Sequence, residues 1–422
     1  MLNNKNIFKN LFITLLFTTV LACTFSTKAS AISISKEDAE AVVLMDGKTG
    51  QILYAKNQDE ALAPASTTKV LTALLVLENS KLDDMVTVGD NPPNAEGTSI
   101  GLKKGDVYSI NDLLHGLLLE SANDCAIALA EHTGSSVENF SKMMNDRARL
   151  LGATNSNFVN PNGLYEKEHK TTAHDLALIM REAAKHPEFI KISREPLYKL
   201  PASKVDNKEK WVNNKNKLVL KNDKYFYDLA LTGKTGFTTP SLHTYVAVAE
   251  KNGESLVFTM LKSPSKDIYF KDAKDLFEYG FNNFTTLKLY EKGEKVYNYE
   301  LNKNTSIPLT ASEDFYYNFN KNLLPNRGVN VDEKTNLVVD KINLNKDTVK
   351  IGDKVGEGKI LIDGHEIGSL ELCSSVDNTS LKPVVKVIPK NIIILSISIG
   401  VILIFLIALL IIKKKKNKSP YM

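Results

Sequence analysis

The sequence predicts an α/β protein: an antiparallel sheet packed with helices over residues 33–285, then a small all-β domain over 286–381 and one C-terminal transmembrane helix. Three observations carry this. Strand-like runs at 40–56 and from 229 onwards bracket a long stretch of helical periodicity. Beyond 286 that pattern gives way to short alternating segments broken by Gly, Asn and Asp, such as KVYNYEL, TNLVVDKI and KILIDGHEIGSLEL. Finally, Ile392 to Ile412 carries no charge over a length that spans about 30 Å as a helix.

The elements follow in order. Lys5 and Lys9, an apolar run from Leu11 to Cys23 and the small residues Ala29-Ser30-Ala31 lay out a secretory signal peptide over 1–31. An uncleaved anchor and a lipid-bearing Cys23 are the alternatives. EAVVLMDGKTGQILYAK (40–56) reads as a hairpin turning at Asp46-Gly47, with Gly supplying positive φ, which gives the KTG triplet at 48–50 a structural role. Pro64-Ala65-Ser66 opens a helix through TTKVLTALLVLEN. INDLLHGLLLESANDCAIALAEHTG is helical but interrupted at Ser121–Asp124, whose polar residues suit a helix stop followed by an N-cap. Further helices are predicted at 137–151 and 172–185, with NPNGL (160–164) as a turn between them. LALTGKTGFT and HTYVAVAEKNGESLVFTMLK are a strand and a hairpin turning at Lys251-Asn252-Gly253, and a helix from Lys271 to Tyr279 ends the domain. Residues 382–390 form a linker, 391–412 the membrane helix and 413–422 a tail whose Lys413–Lys416 belong in the cytoplasm, leaving everything before the span outside.

Composition excludes several classes. The net charge of +4 comes with no basic face interleaved with aromatics, so nucleic acid is not an expected partner. Without the signal, only Cys125 and Cys373 remain, in different predicted domains, so small buried residues are expected rather than a disulfide. The seven histidines lack ligand spacing, His169 and His174 being the nearest pair, and no metal or other cofactor is expected.

An exported enzyme of this composition points to a serine nucleophile. Ser-x-x-Lys at a helix start is an economical form, because i and i+3 share a face and the amine reaches the hydroxyl. The motif occurs at Ser33–Lys36, Ser66–Lys69 and Ser263–Lys266. Only Ser66 opens an amphipathic helix, where an unsatisfied backbone N–H can stabilise an oxyanion. Taken alone, Ser66 reads equally well as a plain N-cap.

Order along the chain decides between them. Ser66-x-x-Lys69, Ser121-Ala122-Asn123 and Lys234-Thr235-Gly236 form the three-part signature of penicillin-recognising serine enzymes. With MMNDRARLLGA, FVNPNGL and the β region around VKIGDKVGEGKILIDG, the chain resembles the low-molecular-weight D-alanyl-D-alanine carboxypeptidases, the family that includes penicillin-binding protein 5. The resemblance implies a serine β-lactamase/transpeptidase-like domain. It implies that Ser66 attacks the penultimate D-Ala carbonyl of a peptidoglycan stem peptide ending in D-Ala-D-Ala, that β-lactam antibiotics acylate the same serine, and that trimming limits cross-linking. Lys69 is then the base, Lys234 a positive charge near the substrate carboxylate, and Ser121 a proton relay to the leaving amine. Asn123 holds substrate amide or the lysine network. Thr235 bonds the terminal carboxylate, the backbone N–H of Phe237 completes the oxyanion hole with that of Ser66, and Gly236 keeps the strand edge clear for substrate.

The chain departs from the family pattern at Gly233, which directly precedes Lys234, in FTTPSLHTYVAVA, which lacks a common Ala-Gly, and in SPSKDIYFKDA, which lacks an arginine. These bear on deacylation and on the carboxylate grip. A transpeptidase or weak β-lactamase using the same acylation site, and a non-catalytic membrane-held scaffold, are the competing expectations. The C-terminal helix is apolar all round, so a bilayer is an expected partner.

Overall fold

The structure, a computed structural model, describes residues 39–266, 268–302, 305–321, 335–340, 342–344 and 348–377. The predicted signal peptide, linker, membrane helix and basic tail lie outside these. Among the described residues no helix is long and apolar enough to cross a membrane. The chain divides into two compact units, one reaching to Lys288 and taking back the stretch from Tyr316, the other made of Leu289–Phe315 and the later strands.

In the first unit, β1 (Ala41–Asp46) and β2 (Ile52–Lys56) form a hairpin. A 3-10 turn, Ala65–Thr68, runs directly into α1 (Lys69–Asn79). The short ladder β3 (Met85–Thr87) and β4 (Val107–Ser109) precedes α2 (Ile110–His115), which continues as a π turn, Gly116–Glu120. Then come α3 (Asn123–Gly134), α4 (Val137–Leu150), α5 (Ala173–Ala183) and α6 (Pro187–Arg194). A hairpin of β5 (Leu197–Leu200) and β6 (Lys210–Asn213) leads to β7 (Ala230–Thr238), β8 (Leu242–Lys251), β9 (Glu254–Ser263) and α7 (Ile268–Asn283).

The main sheet is antiparallel, in the order β2-β1-β9-β8-β7, so the first hairpin is completed by strands two hundred residues later and β7 stands at the edge. Its central strands read as apolar runs rather than alternations because both faces are covered. Val43, Met45, Val246, Val248 and Leu261 pack on the layer of α1 to α6, while Leu44, Ala247, Phe258 and Met260 pack on Phe270, Leu276 and Phe277 of α7.

Two local expectations change. In the first hairpin it is Gly50, not Gly47, that takes positive φ (78°), and the turn is tied by Thr49, whose N–H and hydroxyl donate to Asp46 Oδ1 at 2.6 and 2.7 Å. The first KTG triplet thus has a structural role: besides the turn, the Lys48 carbonyl accepts a hydrogen bond from Arg181 Nη2 at 2.5 Å. At the helix break the cap position is Ala122, which has no capping side chain. Asp124 is instead buried beneath a loop, accepting the Ser99 hydroxyl at 2.6 Å and the Leu102 N–H at 3.0 Å.

β10 (Phe284–Tyr290) pairs with a later strand, β13 (Phe315–Asn320), and both lie largely in the first unit. The described elements of the second unit are strands: β11 (Lys295–Asn302), β12 (Thr305–Ala311), β14 (Thr335–Val338), β15 (Lys354–Ile362) and β16 (His365–Ser374) form an antiparallel sheet in the order β11-β12-β16-β15-β14. Its core gathers Ile307, Leu309, Ile360, Leu370 and Leu372. Cys125 and Cys373 are both free and buried, one in each unit.

Candidate active site

Ser66 is the second residue of the 3-10 turn. That geometry eclipses i and i+3, which brings Lys69 Nζ to 2.9 Å from Ser66 Oγ. Lys69 is wholly buried, and its amine also lies 2.7 Å from Asn123 Oδ1 and 2.5 Å from the Asn162 carbonyl. The Asn123 amide has a fixed orientation, because its nitrogen donates to the Glu96 carbonyl at 2.6 Å. Burial, and then the nearby Lys234, hold the Lys69 pKa well below its ordinary value, against a smaller upward pull from Cys125 and Asp124. A neutral amine has two hydrogens and one lone pair. Asn123 Oδ1 and the Asn162 carbonyl can only accept, so they take both hydrogens. The lone pair is left for the Ser66 hydroxyl, which is the arrangement a general base needs.

Lys234 makes the second half of the site. Its Nζ is 2.9 Å from Ser121 Oγ and 2.8 Å from the Thr235 carbonyl. Burial, then Lys215, lower its pKa to about 7, with Glu120 acting the other way. The free protein therefore holds Lys234 near its midpoint at neutral pH, and an arriving carboxylate favours its charged form. Ser121 adopts a left-handed backbone, φ 67° and ψ 32°, at the end of the π turn.

Edge strand β7 supplies Lys234, Thr235, Gly236 and Phe237, with Thr235 half-buried and the Phe237 side chain exposed. Gly236 also has a packing role that the sequence reading did not include. A Cβ there would come 2.4 Å from Thr244 Oγ1 and 2.8 Å from the Ser66 backbone nitrogen. The glycine makes room for the serine turn against the strand. Thr244 also donates to the Pro64 carbonyl at 2.8 Å, fixing the residue before the turn. Gly233 has a comparable cause: its missing side chain leaves space for Tyr245 Oη, which bonds Asn216 Oδ1 at 2.6 Å.

Ser66, Ser121, Thr235, Gly236, Phe237 and Lys266 line one cleft of about 840 Å³. All eight residues singled out by sequence are thus around it: Lys234 and Asn123 are buried behind it, and Lys69 beneath Ser66. Asn123 joins the lysine network through Oδ1 and the Glu96 loop through its amide nitrogen.

Sequence reasoning missed the Asn162 carbonyl. The Asn-Pro-Asn-Gly cluster was the available signal, since Gly163 (φ 82°) tucks so close to the Ala65 carbonyl that no Cβ fits there. His169, one of the nearest histidine pair, accepts the Val159 N–H on Nδ1 at 3.1 Å and has Nε2 2.8 Å from Thr68 Oγ1. Among the described residues no group of three or more His, Cys, Asp or Glu is placed to hold a metal.

Comparison with known proteins agrees with this geometry. Residues 26–265 match the family model for D-alanyl-D-alanine carboxypeptidase, and 284–380 match the model for the C-terminal domain of penicillin-binding protein 5. The D-alanyl-D-alanine carboxypeptidase DacF of Bacillus subtilis is 29% identical over 70% of this chain and 77% of its own length. DacA of Haemophilus influenzae, another D-alanyl-D-alanine carboxypeptidase, is 31% identical over 81% of this chain and 88% of its own. The crystal structure of penicillin-binding protein 5 from Haemophilus influenzae superposes with a TM-score of 0.67 at 28% identity, covering 81% of this chain and 98% of that one. The chain belongs to the D-alanyl-D-alanine carboxypeptidase family of serine peptidases and carries the C-terminal domain typical of penicillin-binding protein 5.

Proposed function

We propose that this protein is a serine D-Ala-D-Ala carboxypeptidase that trims peptidoglycan stem pentapeptides through an acyl-enzyme and is acylated by β-lactams at the same serine. The observation that carries this is the Ser66–Lys69 contact, in which a buried amine with both hydrogens committed faces the hydroxyl with its lone pair. Ser66 Oγ bonds to the penultimate D-Ala carbonyl carbon as its proton passes to Lys69. The backbone N–H groups of Ser66 and Phe237 hold the oxyanion. The C–N bond then breaks as the leaving D-Ala amine takes, through Ser121, the proton that Lys69 had received, which returns Lys69 to its neutral form; the Ser121 hydroxyl both accepts and donates beside Lys234. Water hydrolyses the ester with Lys69 again as base. Lys234, Thr235 and the cleft residue Lys266 receive the terminal carboxylate.

The domain works outside the cell, exported by the signal peptide at 1–31 and held by the helix at 391–412. Sequence pattern alone supports that part of the reading.

The test uses the full chain in detergent beside Ser66→Ala. Both are given a stem pentapeptide ending in D-Ala-D-Ala and, separately, penicillin. Release of free D-Ala and a one-to-one penicillin adduct in intact-mass spectra, both lost in the variant, are expected. An adduct without D-Ala release, with product appearing only when an acceptor amine is added, would make the protein a transpeptidase. Neither signal from the folded chain would end the enzyme assignment.

A further inference from the structure

We propose that Glu120 and Lys215 are a positioning pair for the acylation site: Glu120 braces the turn that aims Ser121 at Lys234, and the pair's opposed charges act on Lys234 from the cleft wall. The inference rests on the carboxypeptidase reading for its meaning, but on geometry for its content. Ser121 sits in a left-handed conformation that a residue with a Cβ adopts only when its surroundings hold it there. Its hydroxyl is held by Lys234 Nζ. Its backbone N–H and that of Ala122 donate to the Gly116 carbonyl, and the residue before it supplies a further restraint. Glu120 Oε2 accepts the Asn213 backbone N–H at 3.0 Å, and Glu120 Oε1 lies 2.8 Å from Lys215 Nζ. Both carboxylate oxygens therefore tie the π turn to the chain leaving β6.

The pair also bears on charge. Lys215 disfavours the ammonium form of Lys234 and Glu120 favours it. The two act with opposite sign on Lys234, Lys215 having the larger effect. Other ionisable groups near Lys234 are Lys69 behind it and, around the cleft, Lys217, Asp223, His243 and Lys266. None of these bonds the Ser121 turn through both oxygens of a carboxylate, as Glu120 does.

The test exploits the fact that either partner's removal breaks the same ion pair. Full-length protein in detergent, with lysines isotopically labelled at Cε, is titrated by NMR, Lys234 being assigned from the signal lost in Lys234→Arg. Glu120→Gln is expected to lower the Lys234 midpoint and Lys215→Gln to raise it, each by about half a pH unit or more. Lys215→Arg, which keeps the charge, should stay near wild type. The pH profile of penicillin acylation should shift in the same opposite directions. Shifts of like sign, or none, would reduce the pair to an ordinary surface bridge and overturn the proposal. A protein that neither releases D-Ala nor takes penicillin would overturn the functional reading instead, and the substrate-free NMR titration would still decide the pair.

Discussion

Asn123 Oδ1 lies 2.7 Å from Lys69 Nζ while the Asn123 amide nitrogen donates to the Glu96 carbonyl at 2.6 Å. One side chain thus takes a hydrogen from the base and is itself held by a loop. Burial and then Lys234 hold the Lys69 pKa well below its ordinary value, and a neutral acceptor at this position adds no charge to oppose them.

Asn123→Asp puts a carboxylate where the amide oxygen stood. A negative charge beside the amine favours the ammonium and raises the Lys69 pKa. The fraction of free base at neutral pH then falls, and acylation should drop by about 100-fold, recovering as pH is raised. Stopped-flow acylation by a chromogenic β-lactam across pH measures this. A uniform loss with no movement of the acidic limb would mean that Asn123 acts on substrate and not on the base.

The two glycines of β7 separate stability from catalysis. In Gly236→Ala the new methyl meets Thr244 Oγ1 and the Ser66 backbone nitrogen, and so displaces the nucleophile turn. A misplaced reacting atom costs about 100-fold in rate. In Gly233→Ala the methyl meets Tyr245 Oη and Asn216 Nδ2 on the face away from Ser66, so overpacking of about 1–3 kcal/mol is expected, with a smaller effect on acylation. Urea midpoints should fall in both variants, whereas the large loss in adduct formation rate should be confined to Gly236→Ala.

Elements that meet water or core with a simple period were legible in the sequence. The hairpin strands, α1, α4, α5 and the β7–β9 block all follow from their apolar patterns and turn residues. The segment from 186 to 228 was not. There α6 is eight residues long and begins at Pro187, and β5 and β6 are four-residue strands, too short for a period to emerge. The site divides in the same way. Ser66 and Lys69 are three apart, so local geometry joins them, whereas the Asn123 and Asn162 contacts to Lys69 cross 54 and 93 residues, and that of Glu120 to Asn213 crosses 93. Only ordered motifs could point to the first, and nothing in the sequence to the last.

Lys234 should leave a mark on stability. Its folded pKa of about 7 lies below the ordinary 10.5, so between those values the unfolded chain binds a proton that the folded one lacks. Stability then rises with pH across that window, and the burial penalty is full below pH 7. Lys234→Gln removes this term. Urea midpoints of wild type minus variant should climb by a few kcal/mol equivalents from neutral to alkaline pH. A flat difference would mean that Lys234 stays protonated in the fold.

His169 gives the corresponding acid signature. Val159 N–H can only donate, so His169 Nδ1 accepts and Nε2 carries the hydrogen toward Thr68 Oγ1, next to the nucleophile turn. Burial, and then Lys69, lower its pKa from the ordinary 6.5 to about 4. The imidazole is neutral in the fold, while the unfolded chain protonates it as pH falls through 6.5. Stability attributable to His169 is therefore complete above 6.5 and is lost toward pH 4, to a total of about 3 kcal/mol. His169→Gln keeps a donor and an acceptor without a titrating group. The wild type should lose that much more stability than the variant on going from neutral to pH 4. Parallel curves would place the His169 proton on both states alike, and with it a cation beside Thr68 that would raise the cost of charging Lys69.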